Sequence, residues 1–293
     1  METVKQTKSV YALVTERIIR QLEKGVVPWR QSWATAGHPK NLITGERYRG
    51  VNVLLLSSLN FPQNLFLTYR QAAYMGANVK TGEKGNLVVF TKFIDEKTDE
   101  ETKVRRYFLR YYMVFNVAQC EGIPDKFIPQ AAPEKKPIEA CEQIIKSMPK
   151  PPSLRFDRND PFYNPTEDFI NMPKLESFDS SESYYSVLFH ELTHSTGHSS
   201  RLNRPEVMGD KYFGSEMYSR EELTAEIGAC FLKSLAGFKE SVGDENTAYI
   251  KSWLKVLKND SRFVVLASAQ AQRAVDYIMN PKILDESHEP SID

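Results

Sequence analysis

Histidine is scarce in this chain, five residues in 293, and three of the five fall between positions 190 and 198. Two of them bracket the run His190-Glu191-Leu192-Thr193-His194. Side chains four apart on an α-helix share a face, so His190 and His194 can aim two imidazoles at one divalent cation. Glu191 sits at the edge of that face, where a carboxylate can take a proton from a water beside the ion. The alternative is two ordinary helix histidines, one of them filling a core. The surroundings favour the metal reading. From 181 to 195, Tyr184, Val187, Leu188, Phe189 and Leu192 form an apolar stripe at helical spacing. Asp179 and Glu182 resemble a capping box, Phe178 is placed to act as a staple, and Gly197 offers an exit.

A hydrolytic zinc site needs a third protein ligand and an open position. His198 follows His194 by four, but Gly197 intervenes, and three turns of a straight helix do not wrap a tetrahedral ion. Position 200 is Ser, so the extended three-histidine form is absent. The better candidate lies in Glu221-Glu222-Leu223-Thr224-Ala225-Glu226, which opens a second helix with Leu223, Ile227, Phe231 and Leu235 on one side. Glu222 and Glu226 share a face. We read Glu222 as the ligand and Glu226 as an acceptor that orients a ligating histidine. Glu226 and His198 remain alternatives, and Ser219 to Glu222 also reads as a capping box.

The zero net charge hides an asymmetry. Residues 1–118 hold 18 Lys+Arg against 10 Asp+Glu, and the remainder holds 20 against 28. A basic half joined to an acidic half points to a polyanion for the first. No apolar run approaches the roughly eighteen residues of a membrane span. The first six residues are polar, without a signal-peptide core. Cys120, Cys141 and Cys230 are odd in number and lack metal spacing, which fits a reducing cytoplasm.

The composition places a boundary. Residues 124–136 are linker-like, rich in Pro and Ala, and separate a first domain, 1–123, from a second, 137–284, with a tail at 285–293. In the first domain we expect helices over 10–24, 51–59 and 70–75. Strands are expected over 66–69, 87–94 and 104–117, the last two joined across a charged turn. The expected class is α+β: an N-terminal α+β domain and a mostly helical second domain with a small sheet.

Several rings of the first domain adjoin basic residues: Trp29-Arg30, Trp33, Arg47-Tyr48-Arg49 and Tyr69-Arg70. Lys80 and Lys84 flank a glycine loop. Arg106 and Arg110 alternate with Tyr107, Tyr111 and Tyr112 along a strand. Cations for phosphates and rings for bases are what single-stranded nucleic acid requires, each stacked base being worth ~1–3 kcal/mol. Any single ring taken alone reads as a half-buried surface aromatic.

These residues carry a resemblance. Pro28-Trp29, Asn41 through Thr44-Gly45, Tyr48-Arg49-Gly50-Val51-Asn52, Arg70-Gln71-Ala72 and Gly76 through Lys84-Gly85 resemble the N-terminal domain of ArdC-type antirestriction proteins. Plasmid conjugation primases carry a similar domain. Tyr184 through His194, Thr196-Gly197-His198, Arg201-Leu202 and Glu221-Glu222-Leu223 with Ala225-Glu226 are similar to the zincin-like metallopeptidase domain of the same family. The resemblance implies a single-stranded DNA-binding domain fused to a metallopeptidase-like domain, and protection of incoming plasmid or mobile-element DNA from host restriction; the ion expected from the site residues is Zn²⁺, with Mn²⁺ the alternative.

Three function classes follow. The first is a DNA-recruited peptidase acting on a protein such as a restriction-modification subunit. The second is a DNA-coating protein with a structural metal. The third is a single-strand-dependent peptidase acting on protein–DNA crosslinks. For a hydrolase, Pro161 through Asn171 supplies an edge strand for an extended peptide, and Tyr212 or Tyr218 is a candidate to stabilise the oxyanion.

Overall fold

A computed structural model describes residues 8–30, 38–59, 61–97, 103–127, 137–208, 216–238 and 247–279. Nine helices are seen among them: α1 Val10–Leu22, α2 Val51–Ser57, α3 Tyr69–Tyr74, α4 Pro137–Ser147, α5 Ser181–Ser195, α6 Pro205–Met208, α7 Glu216–Ala236, α8 Thr247–Asn259 and α9 Phe263–Met279. The strands are β1 Lys40–Asn41, β2 Leu65–Leu67, β3 Asn78–Val79, β4 Asn86–Lys97, β5 Lys103–Asn116, β6 Cys120–Glu121, β7 Ser153–Arg155, β8 Phe162–Asn164 and β9 Phe169–Asn171. The class is α+β. One sheet has the order β1-β2-β5-β4, a second pairs β3 with β6, and a third has the order β7-β9-β8.

Local chemistry explains the N-terminal elements. Ser9 caps α1 by accepting from the Ala12 amide, and Val14, Ile18 and Leu22 bury one face at intervals of four. Thr68 and Gln71 form a capping box on α3. The same Gln71 exchanges hydrogen bonds with Asn41, whose Oδ1 also accepts the Ile43 and Thr44 amides. The Asn41–Thr44 and Arg70–Ala72 motifs are therefore two sides of one structural lock. At Asn116 and Gln119 a second capping box buries Gln119, which holds the 80–84 loop through Glu83 and the Lys84 carbonyl.

One helix cap and one helix start differ from expectation. Ser180, not Asp179, caps α5, accepting from the Ser183 amide, while Phe178 does pack edge-on against Tyr184. α7 begins at Glu216, so Ser219 lies inside the helix and makes no capping box there.

Elements from before residue 124 and after residue 136 share apolar packing. α1, α2 and the Pro28–Arg30 turn contribute to the same apolar cluster as α4, α5, α7, α8 and α9. Trp29 packs edge-on against Trp253, ring centroids 5.0 Å apart. Thr15 donates to the Ser261 carbonyl at 2.6 Å. The Tyr48-to-Asn52 motif adds polar ties: Arg49 pairs with Asp276, the Gly50 amide donates to Gln272, and Asn52 exchanges two hydrogen bonds with the Val89 backbone. Among the described residues no helix is long and apolar enough to cross a membrane.

Candidate metal centre

The site stands where α5 crosses α7. Their close approach depends on Gly228, where a Cβ would come within 2.5 Å of Thr193 Cγ2. α5 presents His190 and His194 one turn apart, and α7 presents Glu221 and Glu222. His190 Nε2 and His194 Nε2 lie 3.1 Å apart. Glu222 Oε2 is 3.6 Å from His190 Nε2, and its Oε1 is 3.6 Å from His194 Nε2. Among the described residues these three form the one group whose ligand atoms all lie within 4.8 Å of one another.

These spacings fit a tetrahedral ion. Bonds of about 2.0–2.2 Å place ligand atoms about 3.3–3.6 Å apart. The tautomer fits as well. His194 Nδ1 donates to Glu221 Oε1 at 3.0 Å, so its proton resides on Nδ1 and the Nε2 lone pair faces the convergence point.

The field there demands positive charge. Burial disfavours a charged His190, but the Glu222 hydrogen bond and the charges of Glu191, Glu226 and Glu222 outweigh it, pushing its pKa up to about 9. Burial raises the Glu222 carboxyl, yet His190, His194 and the Tyr218 hydroxyl together hold it below its ordinary value. A proton or a divalent cation answers the same demand.

Behind His194 lies a buried ion pair. Arg204 donates to Glu221 from Nε to Oε2 at 3.0 Å and from Nη2 to Oε1 at 2.6 Å. It also donates to Thr196 Oγ1 at 2.6 Å and to the Thr193 carbonyl at 2.9 Å. Burial alone would raise Glu221, but Arg204 and His194 keep it ionised. Gly197 makes room for this guanidinium: a Cβ there would meet Val207 Cγ2 at 2.2 Å and Arg204 at 3.1 Å.

A cleft of about 300 Å³ opens over the centre, lined by Phe162, Tyr163, Glu191, Glu206, Val207 and Tyr218 as well as by the ligand group. β8, at the edge of its sheet, forms one wall. Behind that wall Arg201 holds Asp168 through both Nη1 and Nη2, and Tyr163 donates to the same carboxylate at 2.9 Å.

The orienting partner of His194 is thus Glu221, a residue given no separate role in the sequence reading. Glu226 sits close enough to His190 to raise its pKa. The signal for Glu221 was faint, because a carboxylate beside Glu222 points to a different side of the helix. His198 lies outside the group. α5 ends at Ser195, and the His198 Nδ1 instead meets Ser200 Oγ at 2.8 Å.

The candidate DNA residues separate by exposure. Trp29 is fully buried and Tyr48 nearly so, so neither ring is available to a base, a correction to the sequence expectation. Both fill core space that helical periodicity did not reveal. Arg49 is engaged with Asp276, and Lys80 Nζ donates to the Ala118 carbonyl at 2.9 Å. Arg47, Arg70, Lys84 and Arg110 are exposed. Tyr69 is 64% exposed, and Tyr74, not singled out from the sequence, is 88% exposed. Tyr107, Tyr111 and Tyr112 are also exposed. Trp33, Tyr212 and the side chains of Arg30 and Arg106 lie outside the described residues.

A His-Glu-x-x-His helix crossed by a glutamate-bearing helix, beneath a small sheet with an edge strand, defines a zincin-like metallopeptidase domain. Residues 139–270 match the family described as zincin-like metallopeptidase, and residues 8–115 match the N-terminal domain of anti-restriction factor ArdC. The crystal structure of the antirestriction protein ArdC from plasmid R388 in its metal-free form superposes with a TM-score of 0.75 at 34% identity, covering 92% of this chain and 97% of that one. The Mn(II)-bound form of that protein gives 0.73. The chain belongs to the ArdC-type antirestriction family. It is also 33% identical over 295 residues to a DNA primase TraC of Escherichia coli, but spans only 27% of that protein's length. An uncharacterized protein, y4eC, of Sinorhizobium fredii is 32% identical, with 91% of its length covered.

Proposed function

We propose that this chain binds single-stranded DNA and carries a zinc-dependent peptidase site, and that together they protect incoming mobile-element DNA from host restriction. The observation that carries the peptidase reading is the convergence of His190, His194 and Glu222 beside Glu191 in an open cleft. Three protein ligands with open space above them fit a catalytic site better than a structural one, which would use four.

His190, His194 and Glu222 would hold the ion, and when bound it supplies Lewis acidity to a peptide carbonyl and acidifies water. Glu191, buried at the cleft wall, takes the proton of the attacking water and later delivers it to the leaving amine. The edge of β8 offers unpaired backbone groups to an extended peptide. Tyr218 lines the cleft, and its hydroxyl would give up its donation to Glu222 to donate to the developing oxyanion.

Single-stranded DNA is supported by the exposed rings of Tyr69, Tyr74, Tyr107 and Tyr111 beside Arg70 and Arg110. The test uses the zinc-loaded full chain with a mixed peptide library, cleavage being read by mass spectrometry with and without oligothymidylate. Wild type should cleave. Glu191→Gln should keep zinc and lose cleavage by a factor of about 10²–10⁴. Equal cleavage by the variant would overturn the assignment. Stimulation by the oligonucleotide would tie the two activities together.

A further inference from the structure

The β4–β5 hairpin presents a checkerboard of cations and rings. In the strand register Lys92 faces Phe108 and Phe90 faces Arg110, and the Phe90 and Tyr112 rings lie 5.8 Å apart. Phe108, Arg110 and Tyr112, alternating along β5, share that face. β2 pairs with β5 only at Phe115 and Asn116, so among the described residues no strand pairs with the side of β5 away from β4 over 107–113.

A furrow of about 530 Å³ runs along this unpaired edge, between it and the start of α1. Tyr107, Phe108 and Arg110 form one bank, and Ser9, Tyr11 and Arg262 form the other. Arg262 precedes α9 and stands 5.7 Å from the Tyr11 ring centroid. Its turn is tied to α1 by Thr15 donating to the Ser261 carbonyl, and is closed locally by the Arg262 amide donating to Asp260 Oδ1 at 2.8 Å. Among the described residues neither Arg110 nor Arg262 has an ion-pair partner, and both are exposed.

Resting on the single-strand reading above, we infer that the DNA path does not end with the N-terminal domain. It crosses the hairpin checkerboard, enters the furrow and reaches Arg262, a residue of the zincin-like match. Two unneutralised guanidiniums on opposite banks suit a phosphate backbone. Rings on the banks and on the adjoining strand face suit unpaired bases, whose π-faces a duplex keeps stacked. This path couples DNA to the peptidase half through a direct contact.

The test is fluorescence anisotropy of labelled oligothymidylate on the full chain across a salt series. Arg262→Gln should weaken binding roughly threefold or more and flatten the log–log salt slope by about 0.7. Tyr107→Ala should weaken it by about fivefold or more. Lys174→Gln, an exposed cation that does not line the furrow, should bind as wild type. Should Arg262→Gln perturb folding, an iododeoxyuridine-substituted strand photo-crosslinked to wild type gives an independent answer, with adducts expected on Tyr11 or Tyr107. Wild-type affinity and salt slope in Arg262→Gln, or adducts confined to residues outside the furrow, overturn the path while leaving single-strand binding intact. No binding by wild type defeats the single-strand reading itself.

Discussion

Arg204 grips both carboxylate oxygens of Glu221, at 3.0 and 2.6 Å, and Glu221 in turn holds the Nδ1 proton of His194. All three groups are largely withdrawn from water, so the guanidinium keeps a buried carboxylate charged and that charge sets the histidine tautomer. Glu221→Gln should weaken zinc binding about 10–100-fold, measured by chelator competition. It should also cost about 3–5 kcal/mol of stability, because Arg204 loses its counter-charge. Adding Arg204→Met should recover stability without recovering zinc affinity. Recovery of both would show that Glu221 only stabilises the fold.

The contact between Gly228 and Thr193 sets how far α5 stands from α7. Gly228→Ala pushes a methyl into Thr193 and separates the two imidazoles from Glu222. A loss of about 1–3 kcal/mol is expected in chemical denaturation. Zinc affinity of the folded protein should fall too, which distinguishes the effect from simple overpacking.

Exposure divides the aromatics into two sets with opposite signatures. Trp29→Ala should cost about 3–5 kcal/mol, since the ring is fully buried against Trp253. Under conditions where it remains folded, its DNA affinity should match wild type. Tyr74→Ala, at a position 88% exposed, should leave the melting temperature within a degree or two yet weaken oligothymidylate binding if it stacks a base. Parallel melts and anisotropy titrations read both outcomes.

His38 ties the N-terminal half to α7. Its Nε2 donates to the Tyr48 carbonyl at 2.9 Å and its Nδ1 meets Ser234 Oγ at 3.4 Å. Burial lowers its pKa to about 4, with Arg47, Arg49 and Lys40 adding to the effect and the Tyr48 bond opposing it. The unfolded chain, near 6.5, takes up the proton first. Stability from neutral His38 is therefore whole above pH 6.5 and is lost as pH falls toward 4, by up to about 3 kcal/mol. His38→Gln should remove this component, seen as a flatter difference in unfolding free energy between pH 7 and pH 4.5.

Much of the site could be read locally. His190 and His194 share a face because any helix with 3.6 residues per turn puts them there, and the 181–195 stripe demanded a helix of those bounds. Glu222 followed from the same logic applied to a second helix. The hairpin strands were legible from alternating rings and β-branched residues, and the register then paired cations with rings.

What stayed hidden depends on contacts distant along the chain. Trp29 and Tyr48 look like surface rings beside arginines until α7, α8 and β2 close over them, because burial belongs to the whole fold and not to a neighbourhood of sequence. Arg204 and Glu221 lie 17 positions apart with nothing local to join them, and only the packing of α5 on α7 makes one the counter-ion of the other. Local periodicity determined which side chains each helix could offer. Tertiary packing decided which of them meet, since the free energy of excluding water from a shared interior is settled only when all of its walls are present.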